Sequence, residues 1–155
     1  MATTHGYIAL NTMLNLPGGE YLPLGEAMGE EGVKTVGSNL LPTNVLSIVP
    51  QGIQLTTRMK TEMGAGIQAT ADHKVIKGVK VDEGYQLHMT SLVNLNLGDL
   101  ILVNPRREGD QLLFELSPVE ELDPFMIEEV YEVTVDAPDG SFLANGIINQ
   151  GAMSS

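Results

Sequence analysis

Gly66-Ile67-Gln68-Ala69-Thr70-Ala71-Asp72-His73-Lys74-Val75-Ile76 is the one place where a compact polar cluster interrupts a text that otherwise reads as strands. Ile67 and Ala69 alternate with Gln68 and Thr70 as in a half-buried strand, and Val75 and Ile76 resume the apolar pattern beyond the cluster. Upstream, Ile53 to Met59 reads as a strand and Glu62 to Gly66 as a glycine-rich turn. Thr70 and His73 thus fall at a strand end, where a hydroxyl and an imidazole three residues apart can turn toward one point. The plain alternative is a turn in which Asp72 bonds nearby backbone and His73 is exposed.

Outward from this cluster the composition sets the frame. A chain of 155 residues with 43% hydrophobic content fits one domain with a real core. Seventeen glycines and eight prolines are spread along it, and no window sustains a helical period of apolar residues, so the expected class is mainly β. The formal charge of -12, from 20 acidic against 8 basic residues, would repel a phosphate backbone, and nucleic acid is not an expected partner. Acidic pairs at Glu30-Glu31, Glu120-Glu121 and Glu128-Glu129 read as solvated surface. The absence of cysteine removes disulfides, thiolate metal sites and thiol nucleophiles together. No apolar run reaches the length of a membrane span, and Met1 to Ile8 lacks the regions of a signal peptide. The expectation is a soluble, cytoplasmic chain with no membrane partner.

In chain order, Met1 to Gly6 reads as a polar arm and Ile8 to Leu16 as a buried strand, turned by Pro17-Gly18-Gly19 into Tyr21 to Leu24. Gly25 to Gly32 has room for one helical turn, and Val33 to Val36 and Asn44 to Val49 read as strands around Pro42. A Gly98-Asp99 turn leads into a central strand, Leu100 to Val103. Arg106 to Asp110 reads as a charged loop, Gln111 to Leu116 as a strand, and Pro118 to Pro124 as another loop. Met126 to Val135 is alternating and β-branched, and Pro138-Asp139-Gly140 turns it toward Ser141 to Gln150, with Phe142 and Leu143 in the core. Asn145-Gly146 admits positive φ and predicts a kink, and Gly151 to Ser155 reads as a second arm.

Four segments, in this order and spanning nearly the whole chain, resemble the Hint fold of inteins and hedgehog autoprocessing domains, inteins most closely. Ala9-Leu10-Asn11-Thr12 with its hairpin is similar to the intein N-terminal block, and Gly66 to His73 to the Thr-x-x-His block. Leu95 to Val103 resembles the Gly-Asp strand before the C-terminal half, and Val130 to Val135 with Ser141 to Ile148 resembles the closing strands. The resemblance implies a horseshoe-like fold of antiparallel strands whose termini meet at a central site. It implies a mini-intein with no room for an inserted endonuclease: an upstream flank 1–8, a domain 9–150 and a downstream flank 151–155.

The same resemblance implies single-turnover autocatalysis, with no cofactor and no metal, in a monomer whose partners are its own flanking exteins. The expected junctions are Ile8-Ala9 and Gln150-Gly151. The first residue attacks the preceding carbonyl by its thiol or hydroxyl, a covalent catalysis. His73 would hydrogen-bond and later protonate the departing amide, and Thr70 would polarise the scissile peptide, with Asp72 supporting the turn and Glu132 standing where the family commonly has Asp. A terminal Asn then cyclises to release the joined exteins.

This sequence departs from that pattern at each reacting position. Ala9 has no nucleophile, Asn149 replaces the penultimate His, Gln150 the terminal Asn, and Gly151 has no side chain to take the acyl group. An ungapped register from Asn145 to Ile148 would instead place Gln150 penultimate and Gly151 terminal. A few inteins end in Gln, whose six-membered imide forms more slowly, and a class beginning with Ala exists but needs a downstream nucleophile; Ser154 lies three residues too far along. The simplest expectation is a splicing-inactive precursor trapped by replaced nucleophiles. The competing readings are a naturally degenerate Hint domain, serving as a structural module or giving only slow C-terminal cleavage, and a metal-binding β domain using His5, His73 and His88. No Gly-x-Ser-x-Gly elbow supports a hydrolase.

Overall fold

A computed structural model describes residues 6–153. Its spine is two long strands that the sequence only partly announces, β5 (Pro42–Thr61) and β10 (Gln111–Val135), paired antiparallel from Val119 opposite Thr61 to Val135 opposite Val45. In the last part of β10, Tyr131, Val133 and Val135 are buried while Glu132 and Thr134 are half-buried, the period-two pattern of a strand with one face on the core. The expected loop Pro118 to Pro124 is strand instead. Pro118 sits in register opposite Leu100 of β9, and a register shift between Asp123 and Met126 absorbs Pro124, as a bulge does where a residue cannot donate to the ladder. The expected loop Arg106 to Asp110 is also mostly strand: β9 (Leu100–Glu108) runs through Pro105 and turns only at Gly109-Asp110, with Gly109 at φ +61°.

The N-terminal segment is broken where one strand, Ile8 to Leu16, was expected. β1 (Ile8–Ala9) ends in a turn closed by the Thr12 N–H donating to the Ala9 carbonyl at 3.1 Å, and β2 (Met13–Asn15) begins beyond it. That turn carries the chain from one sheet region to another, because β1 pairs with β10 whereas Leu14 of β2 pairs with Ala144. The Pro17-Gly18-Gly19 hairpin into β3 (Tyr21–Pro23) forms as expected, with Gly19 at φ +89°. One helical turn, Leu24–Ala27, and β4 (Lys34–Val36) follow.

β6 (Gly66–Ala69), β7 (Lys74–Val81) and β8 (Gly84–Ser91) complete the first half, with a 3-10 turn at Leu92–Asn94. β11 (Ser141–Ala144), β12 (Ile147–Gln150) and β13 (Ala152–Met153) close the second. The described residues form one 13-stranded sheet, antiparallel except for β13 on β10, in the order β3-β2-β11-β12-β7-β9-β10-β1-β6-β5-β4, with β8 on β7 and β13 on β10 off this path. The pairings β10–β1, β1–β6, β6–β5 and β5–β10 close on themselves, so β1 has a strand on each side. The main core has Leu14, Met59, Val75, Ile101, Phe142 and Ile147 fully buried, and Leu102, Leu143 and Ile148 form a second, smaller cluster. β9 is central, as expected, touching β10, β7 and β12.

At the end of β10, Asp136 fixes the turn toward β11. Its carboxylate accepts from Thr43 Oγ1 at 2.6 Å, from the Asn44 amide N–H at 2.9 Å and from Asn44 Nδ2 at 2.7 Å. The Thr43 bond, then the Asn44 bonds, hold the Asp136 carboxyl below its ordinary value. A folded-state value below the unfolded one gives stability that is present above the unfolded carboxylate range and lost as pH falls through the folded value. Asp136→Asn is therefore expected to lower the urea midpoint at pH 7, with the gap to the parent narrowing on acidification. A gap that is constant with pH would show that the charge is not what the turn uses.

Candidate functional site

The turn after β6 brings its polar groups to one point because its own backbone closes it. The His73 N–H donates to the Thr70 carbonyl at 3.0 Å, and the 3-10 turn anchors it from outside, through Leu92 N–H to His73 O (2.9 Å) and Val93 N–H to Ala71 O (3.0 Å). His73, which the plain reading left exposed, is 1% exposed. Thr70 is buried, and its hydroxyl donates to Asp72 Oδ1 at 2.7 Å. With its proton committed there, Thr70 Oγ1 is an acceptor, and it takes the Tyr7 amide N–H at 2.8 Å. The Thr70 N–H returns a bond to the Tyr7 carbonyl at 2.9 Å, so one residue clamps both backbone groups of Tyr7.

His73 also reaches the other end of the chain. Its Nε2 lies 2.8 Å from Asn149 Oδ1, and both residues are buried. Asn149 Nδ2 donates to the carbonyls of Ile147 (2.8 Å) and Ala144 (3.3 Å), which leaves its oxygen to face the ring. His73 must then donate from Nε2, and the basic nitrogen of the neutral ring is Nδ1. β12 supplies this asparagine because the Asn145-Gly146 kink, at φ +54° and +74°, folds β12 back on β11. Asn145 secures the kink, accepting from Met13 N–H at 2.8 Å and donating to Gly66 O at 3.0 Å.

The remaining expected site residues lie around this pair in different ways. Ile8 pairs with Ala69 and Tyr131, and Ala9 with Val130; both are buried in the sheet. The Thr70 clamp closes upstream of them, on Tyr7. Gln150 Nε2 donates to Asp139 O at 2.8 Å and to Gly151 O at 3.1 Å, which turns its amide toward the β10–β11 connection. Gly151 and Ala152, expected as the start of an arm, are buried instead: Gly151 N–H donates to Gly140 O at 3.0 Å, and Ala152 pairs with Thr134. A Cβ at position 151 would stand 2.7 Å from Val133 O, 2.9 Å from Gly140 O and 2.9 Å from Phe142 Cε1. Glu132 is half-buried on β10 opposite Val49. β1 and β13 thus both lie along one short stretch of β10, Val130 to Val135.

Two participants were not singled out from the sequence. Tyr7 lies in the gap between the arm and the first strand, with nothing local to mark it, and Gly6 before it packs on the His73 backbone. A Cβ on Gly6 would sit 2.5 Å from His73 Cα, and its φ is +74°. The Tyr131 hydroxyl, donating to Glu129 Oε1 at 2.5 Å, is pushed up to about 12 by that bond and by burial, so it stays protonated at neutral pH. His88 is exposed on β8, and His5 lies outside the described residues. Among the described residues no group of three His, Asp or Glu is placed to hold a metal ion.

No family model matches the sequence, and no curated protein does. Solved structures match over nearly the whole chain. The Ssp DnaB mini-intein variant M86 is 24% identical with a TM-score of 0.77, each chain covered in full. A DnaB intein from Synechocystis sp. PCC 6803 is 22% identical with a TM-score of 0.73, over 95% of this chain and 99% of that one. The gp41-1 intein is 16% identical with a TM-score of 0.70, over 96% and 100%. The fold is that of inteins and mini-inteins.

Proposed function

We propose that this intein-fold chain is a protein-splicing domain arrested before its first bond is broken, which holds its own flanking segments at an autoprocessing centre without joining them. The observation that carries the reading is the convergence at one turn: Thr70 clamps the incoming backbone at Tyr7, and His73, three residues on, is bonded to Asn149 on the outgoing strand. An autoprocessing domain needs this arrangement, because its acid–base group must serve a bond at each end of the same chain. The arrest follows from composition. Gly6 to Ala9 and Asn149 to Met153 contain no thiol and no aliphatic hydroxyl, so the residues beside the expected junctions have no group with which to form an acyl intermediate.

Gly151 favours arrest as a property of the fold over the removal of a nucleophile from an otherwise competent chain. The backbone around it leaves no space for the side chain that a downstream acceptor requires. The test is the chain expressed between two distinct tags and followed by intact mass spectrometry. A single precursor mass is expected, both for the parent and for the Ala9→Cys, Gly151→Ser double variant. Joined tags from either protein would overturn the arrest.

A further inference from the structure

We infer that the peptide bond presented to the Thr70–His73 turn is Gly6–Tyr7, two residues upstream of the expected Ile8–Ala9 junction, and that Tyr7 occupies the place of the first reacting residue. This rests on the splicing-domain reading and fixes which bond that reading concerns. The amide nitrogen of the Gly6–Tyr7 bond donates to Thr70 Oγ1 at 2.8 Å, so the hydroxyl at the site touches the atom that would leave as an amine. The carbonyl on the far side of Tyr7 is held by the Thr70 N–H at 2.9 Å, which fixes the residue from both sides. Gly6 lies so close to His73 that its α-carbon has no room for a side chain, which sets the imidazole-bearing residue directly against the acyl half of the bond.

The Ile8–Ala9 bond has none of this. Ile8 is 2% exposed and Ala9 0%. They sit in register with Tyr131 and Val130, and the Ala9 carbonyl accepts from Thr12 N–H in the turn that ends β1. Tyr7 is only half-buried, and its phenol explains the arrest at this end. The acyl shift closes a five-membered ring through an oxygen or sulfur on Cβ, and the phenolic oxygen lies across the ring from that carbon.

Tyr7→Cys supplies the missing atom in a smaller side chain. Its sulfur would attack the Gly6 carbonyl carbon; the C–N bond to residue 7 breaks as the C–S bond forms, and the thiol proton ends on the freed α-amine. Dithiothreitol then takes the acyl group from sulfur, and water releases a fragment ending in the Gly6 carboxylate. The experiment compares Tyr7→Cys and Ala9→Cys, each with an upstream tag, each shown to be folded by circular dichroism, and each incubated with and without dithiothreitol before intact mass measurement. Tyr7→Cys is expected to lose its precursor mass to the fragment ending at Gly6, while Ala9→Cys stays intact. Cleavage after Ile8 in Ala9→Cys, with Tyr7→Cys intact, would overturn the assignment and leave the splicing-domain reading standing. Two folded, intact variants would overturn both.

Discussion

Gly151→Ser is expected to destabilise the fold by about 3 kcal/mol, the upper end for overpacking a tight site, and to give no joined flanks when combined with a cysteine upstream. The atoms that a Cβ would meet cannot move independently. Val133 O belongs to the strand that pairs with β5, Gly140 O accepts the Gly151 N–H at 3.0 Å, and Phe142 is 1% exposed in the core. Accommodating even the first side-chain carbon therefore shifts β10, the β10–β11 turn or the core, and close-packed interiors resist such shifts. The urea midpoint of Gly151→Ser against the parent measures the effect, with Gly18→Ser as a control at a glycine whose only near neighbour is the end of a glutamate side chain 4.0 Å away. If Gly151→Ser unfolds at the parent midpoint, position 151 was shaped for a side chain, and a replaced nucleophile becomes the better account of the arrest.

How much of this was legible from the sequence depends on whether the signal was local. The turns at Pro17-Gly18-Gly19, Gly98-Asp99 and Asn145-Gly146 were readable because each needs backbone freedom at a fixed residue, and the structure has positive φ at Gly19, Gly98, Asn145 and Gly146. Thr70 and His73 were readable as a pair because three residues and one turn separate them. The full length of β10 was not: Pro118 and Pro124 with their acidic neighbours read as loop, and only their partners, Leu100 of β9 for Pro118 and a bulged stretch against β5 for Pro124, make them strand. Tyr7 and the His73–Asn149 bond were not readable either. Their partners are 63 and 76 residues away in sequence, and no local pattern encodes that approach. The closeness around Gly151 likewise exists only once β10, β11 and the closing strand are assembled.

Asn149→Leu is expected to destabilise the protein by about 3 kcal/mol and to release His73 from a single tautomer. The substitution is close in volume but removes the acceptor of His73 Nε2 and the donor to Ala144 O and Ile147 O, and Asn149 and His73 are buried where water cannot replace those bonds readily. Asn149→Asp separates the two effects. A carboxylate keeps an acceptor opposite Nε2 but sets its other oxygen against Ile147 O and Ala144 O as a buried charge, so it should be destabilised at least as much as Asn149→Leu, yet keep the proton on Nε2. Chemical denaturation reads the stabilities, and the nitrogen shifts of the imidazole, by NMR on 15N-labelled protein, read the tautomer. An Asn149→Leu variant whose His73 remains wholly Nε2–H would show that some other contact orients the ring. If the tautomer is lost in Asn149→Leu and kept in Asn149→Asp, Asn149 on the outgoing strand sets the proton position of His73 at the turn that clamps the incoming one. The incoming and outgoing strands would then be coupled through one hydrogen bond between their two anchoring side chains.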